Sequence, residues 1–417
     1  MSLSHFQTEF DKMMNRDYFL DAVHPMRKEA FSKFLNSGLP TNKWEDWRFT
    51  NLSKLKQKKY RISETQDAPA GDVDLSSFEI DGVDTVVIYN GHYQEALSSV
   101  PSGIQLLSGI EYLERKNWEF ETAECSPFDL LNTAFMDCGM SFIVDPNINV
   151  ETPVRILFIS NGEDNIMANP RMYLDVGDSA AVTFIEHHVG NAASFFQNAS
   201  IFASVGVNAS LDHIRIQSNS TSTQNMANLD VQQETDSRYT FTQFADGSEL
   251  GRTNVYVHLN GKGANCELNG LALSNGKQHF DNHIIIDHKV PHCTSSQLFK
   301  SVLREKSSGV FNGRTIVQKN AQKTDAKQSN KNLLLSKDAL MNSNPQLEIF
   351  ADDVRCTHGS TTGELDFDSL FYLRSRGLDL ARAKSLLVRG FATECFDTIQ
   401  DKKIKSFIMQ RFDNWLN

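Results

Sequence analysis

The stretch LEIFADDVRCTHGSTTGELDFDSLFYLRSRG, residues 347–377, carries a change from strand to helix near the end of the chain. It opens with alternating apolar and polar residues, which is typical of a half-buried strand, and closes with a helical segment ending at Gly377. Side chains at i and i+2 of a strand point to the same face. An extended segment 354–358 would therefore project Cys356 and His358 together.

Cys356 and His358 are residue types that bind metals, because thiolate sulfur and imidazole nitrogen suit iron, zinc or copper. Two ligands do not fill a coordination sphere, so a metal site here needs further ligands from another chain. The structural alternative is a buried cysteine that acts as a small apolar side chain beside a surface histidine. Spacing alone leaves both interpretations open.

The long segment before this stretch predicts a mainly β core. Residues 140–358 consist of short β-rich runs separated by Gly, Asn, Asp and Ser. Turn signals arrive every ~8–12 residues, which is typical of a sandwich or barrel. A solenoid fits equally well, because each coil of a solenoid buries its apolar face against its neighbours. No repeat of fixed period is visible, so the pattern does not choose between these architectures.

The segments that flank this core differ from it in composition and period. Phe6, Phe10 and Met13 recur at helical spacing, as do Ala30 and Phe34. The sequence predicts four parts: a helical N-terminal region at residues 1–65, a linker and mixed segment at 66–139, the β core at 140–358 and a helical C-terminal region at 359–417.

The C-terminal region predicts two main helices after a short one. Asp379 is a suitable N-cap for a helix that carries an apolar stripe at Leu380, Ala383, Leu387 and Phe391. Gly390 lies inside that helix, where glycine costs up to about 1 kcal/mol. We therefore expect close packing at Gly390.

Composition limits the classes of function. The net charge of -11 and pI of about 5.6 disfavour a nucleic-acid or anionic membrane surface. Basic residues concentrate in residues 300–337, which we expect to be a solvated face of a sheet. The six cysteines form no CxxC pair, and no apolar run approaches the ~20 residues that cross a bilayer. With no signal peptide recognised, we expect a cytoplasmic protein.

A second candidate for metal binding is the histidine group His279, His283, His288 and His292. His279 and His283 would share a strand face, but no carboxylate is placed to orient their rings. His187 and His188 would point to opposite faces of a strand. Phosphate-loop, dinucleotide-binding and nucleophile-elbow motifs are absent from the sequence. These observations favour a scaffold or binding platform over a self-contained enzyme.

The last third of the chain carries an ordered series of motifs: SGVFNG at 308–313, AQKTDAKQSN at 321–330, NLLLS at 332–336, PQLEI at 345–349, ADDVRCTHG at 351–359 and LFYLRSRG at 370–377. This series resembles the SufB/SufD family of iron–sulfur cluster assembly scaffolds. The Cys-x-His-Gly order at residues 356–359 is similar to SufD-type rather than SufB-type members.

The resemblance implies a right-handed parallel β-helix flanked by helical regions. It also implies a non-catalytic subunit that forms a heterodimer with a SufB-like chain and binds a SufC-like ABC-type ATPase. The docking surface would lie on residues 377–417, with Leu380, Ala383, Leu387 and Phe391. The resemblance further implies that His358 binds iron or a transient cluster at the heterodimer seam, with Cys356 as a weaker candidate. Some family complexes associate with reduced flavin. The resemblance does not decide whether the isolated chain forms a homodimer.

Two alternatives remain at this point. The first is a β-helix carbohydrate-active enzyme, which needs paired acids on one coil face; the candidates are Asp281 with Asp287, and Asp352 with Asp353. The second is a stand-alone metal-binding protein that uses the histidine group. Co-purification of an ATPase with this chain would favour the interpretation as a scaffold subunit.

Overall fold

The computed structural model describes residues 3–15, 23–67, 74–116, 126–136, 139–162 and 165–416. The α-helices within these residues are α1 Ser4–Met14, α2 His24–Ser37, α3 Ser53–Gln57, α4 Gly109–Lys116, α5 Pro127–Phe135, α6 Phe367–Ser375, α7 Leu380–Ala392 and α8 Lys402–Leu416. Short 3-10 helices include Glu45–Trp47, Ser76–Phe78 and Thr393–Phe396. Two of the six cysteines, Cys125 and Cys138, lie outside the described residues.

The strands are β1 Arg61–Ile62, β2 Asp84–Tyr89, β3 His92–Tyr93, β4 Ile104–Ser108, β5 Gly139–Val144, β6 Val154–Ile159, β7 Ile166–Ala168, β8 Arg171–Val176, β9 Ala181–Val189, β10 Phe195–Val205, β11 Ser210–Gln217, β12 Thr223–Gln233, β13 Arg238–Ala245, β14 Leu250–Leu259, β15 Asn265–Ser274, β16 His279–His288, β17 Thr294–Leu303, β18 Ser308–Val317, β19 Asp325–Leu334, β20 Leu340–Ile349 and β21 Arg355–Gly363.

From β8 onward the strands alternate between two parallel sheets. Sheet A is ordered β20-β18-β16-β14-β12-β10-β8-β5-β4, and sheet B is ordered β21-β19-β17-β15-β13-β11-β9-β6-β2-β3. Each coil contributes one strand to each sheet, so the chain is a β-solenoid of about eight turns with helices at both ends. The mainly β solenoid with helical flanks is therefore confirmed, and the sandwich or barrel is excluded.

The period of the solenoid is set by its turns. One residue per coil takes a positive φ at corresponding turns, namely Asn147, Ser179, Asn208, Asp236, Gly263, His292 and Lys323. Their spacing runs from 27 residues (Asp236 to Gly263) to 32 residues (Asn147 to Ser179). This left-handed conformation favours glycine, asparagine and aspartate, but the column also contains His292 and Lys323. Variable spacing and variable residue type hide the repeat from inspection of the sequence.

The space between the two sheets holds the main apolar core. Phe142 of sheet A meets Phe184 of sheet B edge to face at 4.8 Å, and both are buried. The same interior includes Val255, Val257 and Leu268. Burial of apolar surface, at roughly 25 cal/mol per Å², thus holds each coil to its neighbours.

The N-terminal helices cover the outer face of sheet A. Phe6, Phe10 and Phe34 join Phe196 and other sheet residues in one buried cluster. Of the two tryptophans in this arm, Trp47 is buried under Arg252, whose guanidinium carbon lies 3.7 Å from a Trp47 ring centroid, and Trp44 stays exposed. The helical N-terminal region predicted from residue spacing is thus present and packed.

The C-terminal helices cover the outer face of sheet B. Val388, Phe396, Ile404 and Ile408 pack against strand residues such as Phe244 in one buried cluster. Asp379 caps α7 by accepting a hydrogen bond from the backbone, as its sequence position predicts, and Asp366 caps α6 in the same way.

One prediction about this region is wrong, and a second holds only in part. Gly390 is exposed, and a Cβ added there would meet nothing within 4 Å, so no close packing explains it. Lys300 is buried under the C-terminal helices, where its Nζ donates to the Phe391 carbonyl at 2.7 Å and to Glu394. The basic stretch at residues 300–337 is therefore not wholly a solvated face.

The solenoid extends beyond the predicted core boundaries of 140 and 358. β2 already pairs with β6 in sheet B, and β21 continues to Gly363. Ile80, in the predicted linker, is buried, and residues 68–73 of that linker lie outside the described residues. No helix in the described ranges is long and apolar enough to cross a membrane.

Candidate functional site at the open end of the solenoid

The last coil of the solenoid is uncovered. β20 and β21 each pair with one neighbour, β18 and β19 respectively, and no other described strand pairs with their second edge, which is therefore open. No residue of β20 or β21 is fully buried, and Leu340, Ile349 and Phe350 are 57%, 41% and 60% exposed. Open edges with exposed apolar side chains are ready templates for pairing with another chain.

Cys356 and His358 lie on this last strand and share its inward face. In the register of β19 and β21, Cys356 pairs with Ala326 and His358 pairs with Gln328, both buried. The shared face predicted from their i, i+2 spacing is therefore confirmed. Because no further coil follows, this inward face opens to solvent.

The two side chains differ in environment. His358 is exposed, whereas Cys356 is half-buried and packs against a small cluster of Val317, Ala321 and Ala351. Burial raises the pKa of the Cys356 thiol above its usual value. The imidazole is thus accessible to a metal ion, and the thiol is disfavoured as a thiolate ligand.

A polar network lies on the same inward faces next to His358. Ser360 donates to Ser343 at 2.7 Å across the two sheets, and Ser343 donates to the Asn330 side chain at 2.8 Å. Asn332 also donates to Asn330 at 2.6 Å. Sequence reasoning missed this network, because its members are brought together by strand register rather than by a local motif.

The histidine group at residues 279–292 does not form one site. His279 contacts Thr50 and Ser308, and His283 lies 3.3 Å from Asp281, both on the outer face of sheet A. His288 lies inside, within 2.9 Å of the Ser295 hydroxyl, and His292 is an exposed turn residue.

Local contacts, rather than protonation, disfavour metal binding by these histidines. Burial lowers the pKa of His283 and of His288 to about 4, which leaves both rings neutral near pH 7, the form that binds metals. His283 instead lies against Asp281, and the His288 Nε2 contacts the Ser295 hydroxyl. In the part of the chain that the structure describes, no group of three or more His, Cys, Asp or Glu residues could hold a metal. Cys356 and His358 likewise form an incomplete set.

The predicted docking helix presents a mixed surface. Leu380 is 43% exposed, but Ala383 is fully buried, and Leu387 and Phe391 are half-buried, with Phe391 packed against the cluster that covers sheet B. Exposed apolar side chains instead concentrate on α6 and the outer side of α7, at Phe367, Phe371, Tyr372, Leu380 and Leu386. A shallow groove between the two helices is lined by Phe371, Arg374, Gly377, Leu378 and Leu380.

Comparison with known proteins identifies the family. Residues 158–391 match the model of the SUF system FeS cluster assembly SufBD core domain, and residues 3–156 match the SufBD protein N-terminal region. The chain belongs to the SufBD family. It is an iron–sulfur cluster assembly component, as the motif series predicts.

Several relatives match the SufBD chain over nearly its full length. The iron–sulfur cluster assembly protein SufD of Escherichia coli is 30% identical over 393 residues, 93% of this chain and 92% of the relative. A SufBD family protein of Synechocystis is 30% identical over 406 residues, 91% of this chain and 88% of the relative. The chloroplastic protein ABCI7 of Arabidopsis thaliana is 28% identical over 402 residues, 91% and 83% respectively.

Proposed function

We propose that the chain is a non-catalytic scaffold subunit of a Suf-type iron–sulfur cluster assembly complex. A SufB-like subunit binds the open edges of β20 and β21, and the nascent cluster or its iron is held at that seam as cargo. The observation that carries the proposal is the position of His358, exposed on the inward face of the last strand of an uncovered solenoid. Family membership supplies the reaction context.

His358 acts in this scheme as one ligand of an incomplete set. An exposed imidazole offers a nitrogen lone pair to iron, and the remaining ligands, a thiolate among them, come from the SufB-like subunit. Cys356 contributes less, because its partial burial against Ala351 disfavours the thiolate.

A SufC-like ABC-type ATPase docks on α6 and the exposed side of α7. Phe371, Tyr372 and Leu386 are 66%, 55% and 50% exposed, which suits an apolar partner surface. ATP hydrolysis then takes place in that partner. The association with reduced flavin and the cytoplasmic location stay predictions, and no residue of this chain is assigned to flavin.

Packing contacts of α7 connect the proposed ATPase-docking surface to sheet B, which carries the proposed SufB-like interface. Ala383, Val388 and Ala392 of α7 are buried, and Lys300 of β17 binds the carbonyl at the end of α7. Movement of the ATPase would thus act on sheet B, whose last strand carries His358.

The test is a His358→Ala variant, purified with its SufB-like and SufC-like partners and supplied with ferrous iron and a sulfur source. We expect the complex to assemble normally and cluster yield to be lost, because the exposed ring is a ligand and not a packing residue. His292→Asn is the matched control, since it replaces another exposed histidine, and asparagine tolerates the positive φ of 65° at that turn. A normal cluster yield from the His358→Ala complex would refute the ligand role.

The two alternatives are not supported by the structure. Asp281 is buried in an ion pair with Arg252 at 2.6 Å, Asp287 is buried, and Asp353 pairs with Lys323 on an exposed turn. None of these carboxylates is paired with another as a sugar-cleaving site requires. The separated positions of the four histidines likewise give no support to a stand-alone metal store.

A further inference from the structure

A buried glutamine lies directly beside His358 on the inward face of sheet B. Gln328 of β19 pairs in register with His358 of β21, on strands that are 4.7–4.9 Å apart in such sheets. Gln328 is 4% exposed, and its Oε1 accepts no hydrogen bond from the described residues. A buried amide oxygen without a donor is energetically unfavourable, so this one calls for an explanation.

The orientation of the Gln328 amide is set by its other neighbours. Its Nε2 donates to the Gln297 Oε1 at 3.2 Å, and the Gln297 Nε2 donates in turn to the Thr315 hydroxyl at 3.2 Å. Gln297 and Thr315 are both buried. The Gln328 nitrogen is therefore bound on the side of β17. On the other side of Gln328 lies β21, with His358 as the residue paired to it.

A glycine on the facing sheet makes room for this amide. Gly313 of β18 lies opposite Gln328, and a Cβ added there would overlap the Gln328 amide nitrogen and come within 2.8 Å of Phe311. Gly313 has no positive φ, so its backbone does not require glycine. Glycine at position 313 therefore leaves room for the Gln328 side chain, and it is not required by the backbone conformation.

We propose that Gln328 is a positioning residue for His358, whose non-ligating ring N–H donates to the free Gln328 Oε1 when the other ring nitrogen binds iron. Metal-bound histidines almost always donate the second ring N–H to an oxygen, which fixes the tautomer and the orientation of the ring. His358 has the freedom to turn toward Gln328, because it is exposed on an edge strand. The inference rests on the proposed ligand role of His358 and extends it to a residue inside the solenoid.

The experiment compares four variants in the full complex, with ferrous iron as the probe. Gln328→Leu removes the acceptor, and Gly313→Ala displaces it; both should weaken iron binding by about 10–100-fold. Gln328→Glu keeps an oxygen acceptor beside His358 but loses the donor to the Gln297 Oε1, so it should bind iron more tightly than Gln328→Leu. Gln243→Leu is the matched control, since Gln243 is also a buried inward glutamine with an unpaired Oε1, but it lies on β13, remote from His358.

A second readout separates positioning from general destabilisation. Electron spin echo modulation of the reduced, paramagnetic cluster detects the remote nitrogen of a ligating imidazole, and its quadrupole coupling changes when the remote N–H loses its acceptor. We expect that change in Gln328→Leu and not in Gln243→Leu. Equal losses in both leucine variants, or wild-type binding in Gln328→Leu while His358→Ala has lost it, would overturn the inference. Wild-type binding in His358→Ala would instead overturn the proposed function itself.

Discussion

The most unusual residues of the chain lie inside the solenoid, where charge is completely buried. The Glu186 carboxylate contacts His213 at 2.7 Å, His188 at 3.0 Å and the Arg215 guanidinium, and all four side chains have no exposed surface. Arg215 also donates to Asn225 on the facing sheet at 2.9 Å. Despite burial, the contacts with Arg215 and the histidines hold the pKa of Glu186 well below its usual value.

Removing the charge of Glu186 should therefore be costly. Glu186→Leu leaves the buried Arg215 without a counter-charge, and such a break typically costs 3–5 kcal/mol. The free energy of unfolding, measured with urea, should fall by about that much, and Glu186→Leu combined with Arg215→Leu should recover part of it. A loss below about 1 kcal/mol in the single variant would show that the ion pair is unimportant.

The neighbouring His187 predicts a dependence of stability on pH. His187 is fully buried on the outer face of sheet B, edge to face with Phe407 of α8 at 5.3 Å, and neither ring nitrogen has a hydrogen-bond partner among the described residues. Burial, followed by the positive charges of Arg155 and Arg411, holds its pKa well below 6.5 in the folded protein. The unfolded chain therefore binds the proton first as the pH falls.

Stability contributed by His187 is complete above pH 6.5 and declines below it, by at most about 1.4 kcal/mol per pH unit for one proton. His187→Phe should flatten the decline in unfolding free energy between pH 7.5 and 5.5, measured with urea. His292→Asn, at an exposed turn, should leave the slope unchanged. An equal slope in the wild type and His187→Phe would contradict the assignment.

The sequence predicts residue-level features only when they are local. The shared face of Cys356 and His358 follows from spacing within one strand, as do the opposite faces of His187 and His188. The Glu186 cluster does not, because His213 and Arg215 come from the next strand of sheet B, with Arg215 paired to Glu186 29 positions earlier. Strand register decides such contacts, and register depends on the whole core.

At the scale of elements, local sequence signals predict where α6 and α7 lie along the chain. They do not predict which faces of these helices are exposed. Gly377 correctly predicts where α6 ends, and Asp379 correctly predicts where α7 begins. The stripe through Ala383 also has the right period, yet Ala383 faces the solenoid and is buried. A helical stripe shows that one face is apolar, but not which surface that face covers.

The docking proposal is tested by Phe371→Asp. Phe371 is 66% exposed, so aspartate should leave folding unchanged and abolish co-purification of the SufC-like ATPase, while the SufB-like subunit is retained. Val207→Asp is the matched control, because Val207 is an exposed apolar residue on a turn of the solenoid. Retention of the ATPase by Phe371→Asp would place the docking surface elsewhere. Point changes are preferable to removal of residues 379–417, whose Ile404, Ile408 and Phe412 help cover sheet B.

At the scale of the whole molecule, the chain is a covered platform with one open end. The N-terminal helices cover sheet A and the C-terminal helices cover sheet B, while the last coil keeps its edges and inward face exposed. The mainly β composition was predictable from turn spacing, whereas the solenoid was not, since the turn positions vary in both residue type and spacing. The motif series, through its resemblance to the SufB/SufD family, predicted the β-helix that turn spacing alone did not distinguish from a sandwich or barrel.

The central claim is that His358 binds the nascent cluster at the seam with a SufB-like subunit. The most direct measurement labels only this chain with ¹⁵N-histidine, assembles it with unlabelled partners and records electron–nuclear double resonance of the reduced cluster. We predict a ¹⁵N hyperfine coupling in the wild-type complex that persists in His292→Asn, whereas His358→Ala forms no cluster from which a coupling could be recorded. A cluster that forms in the wild type with no ¹⁵N coupling from this chain would contradict the account.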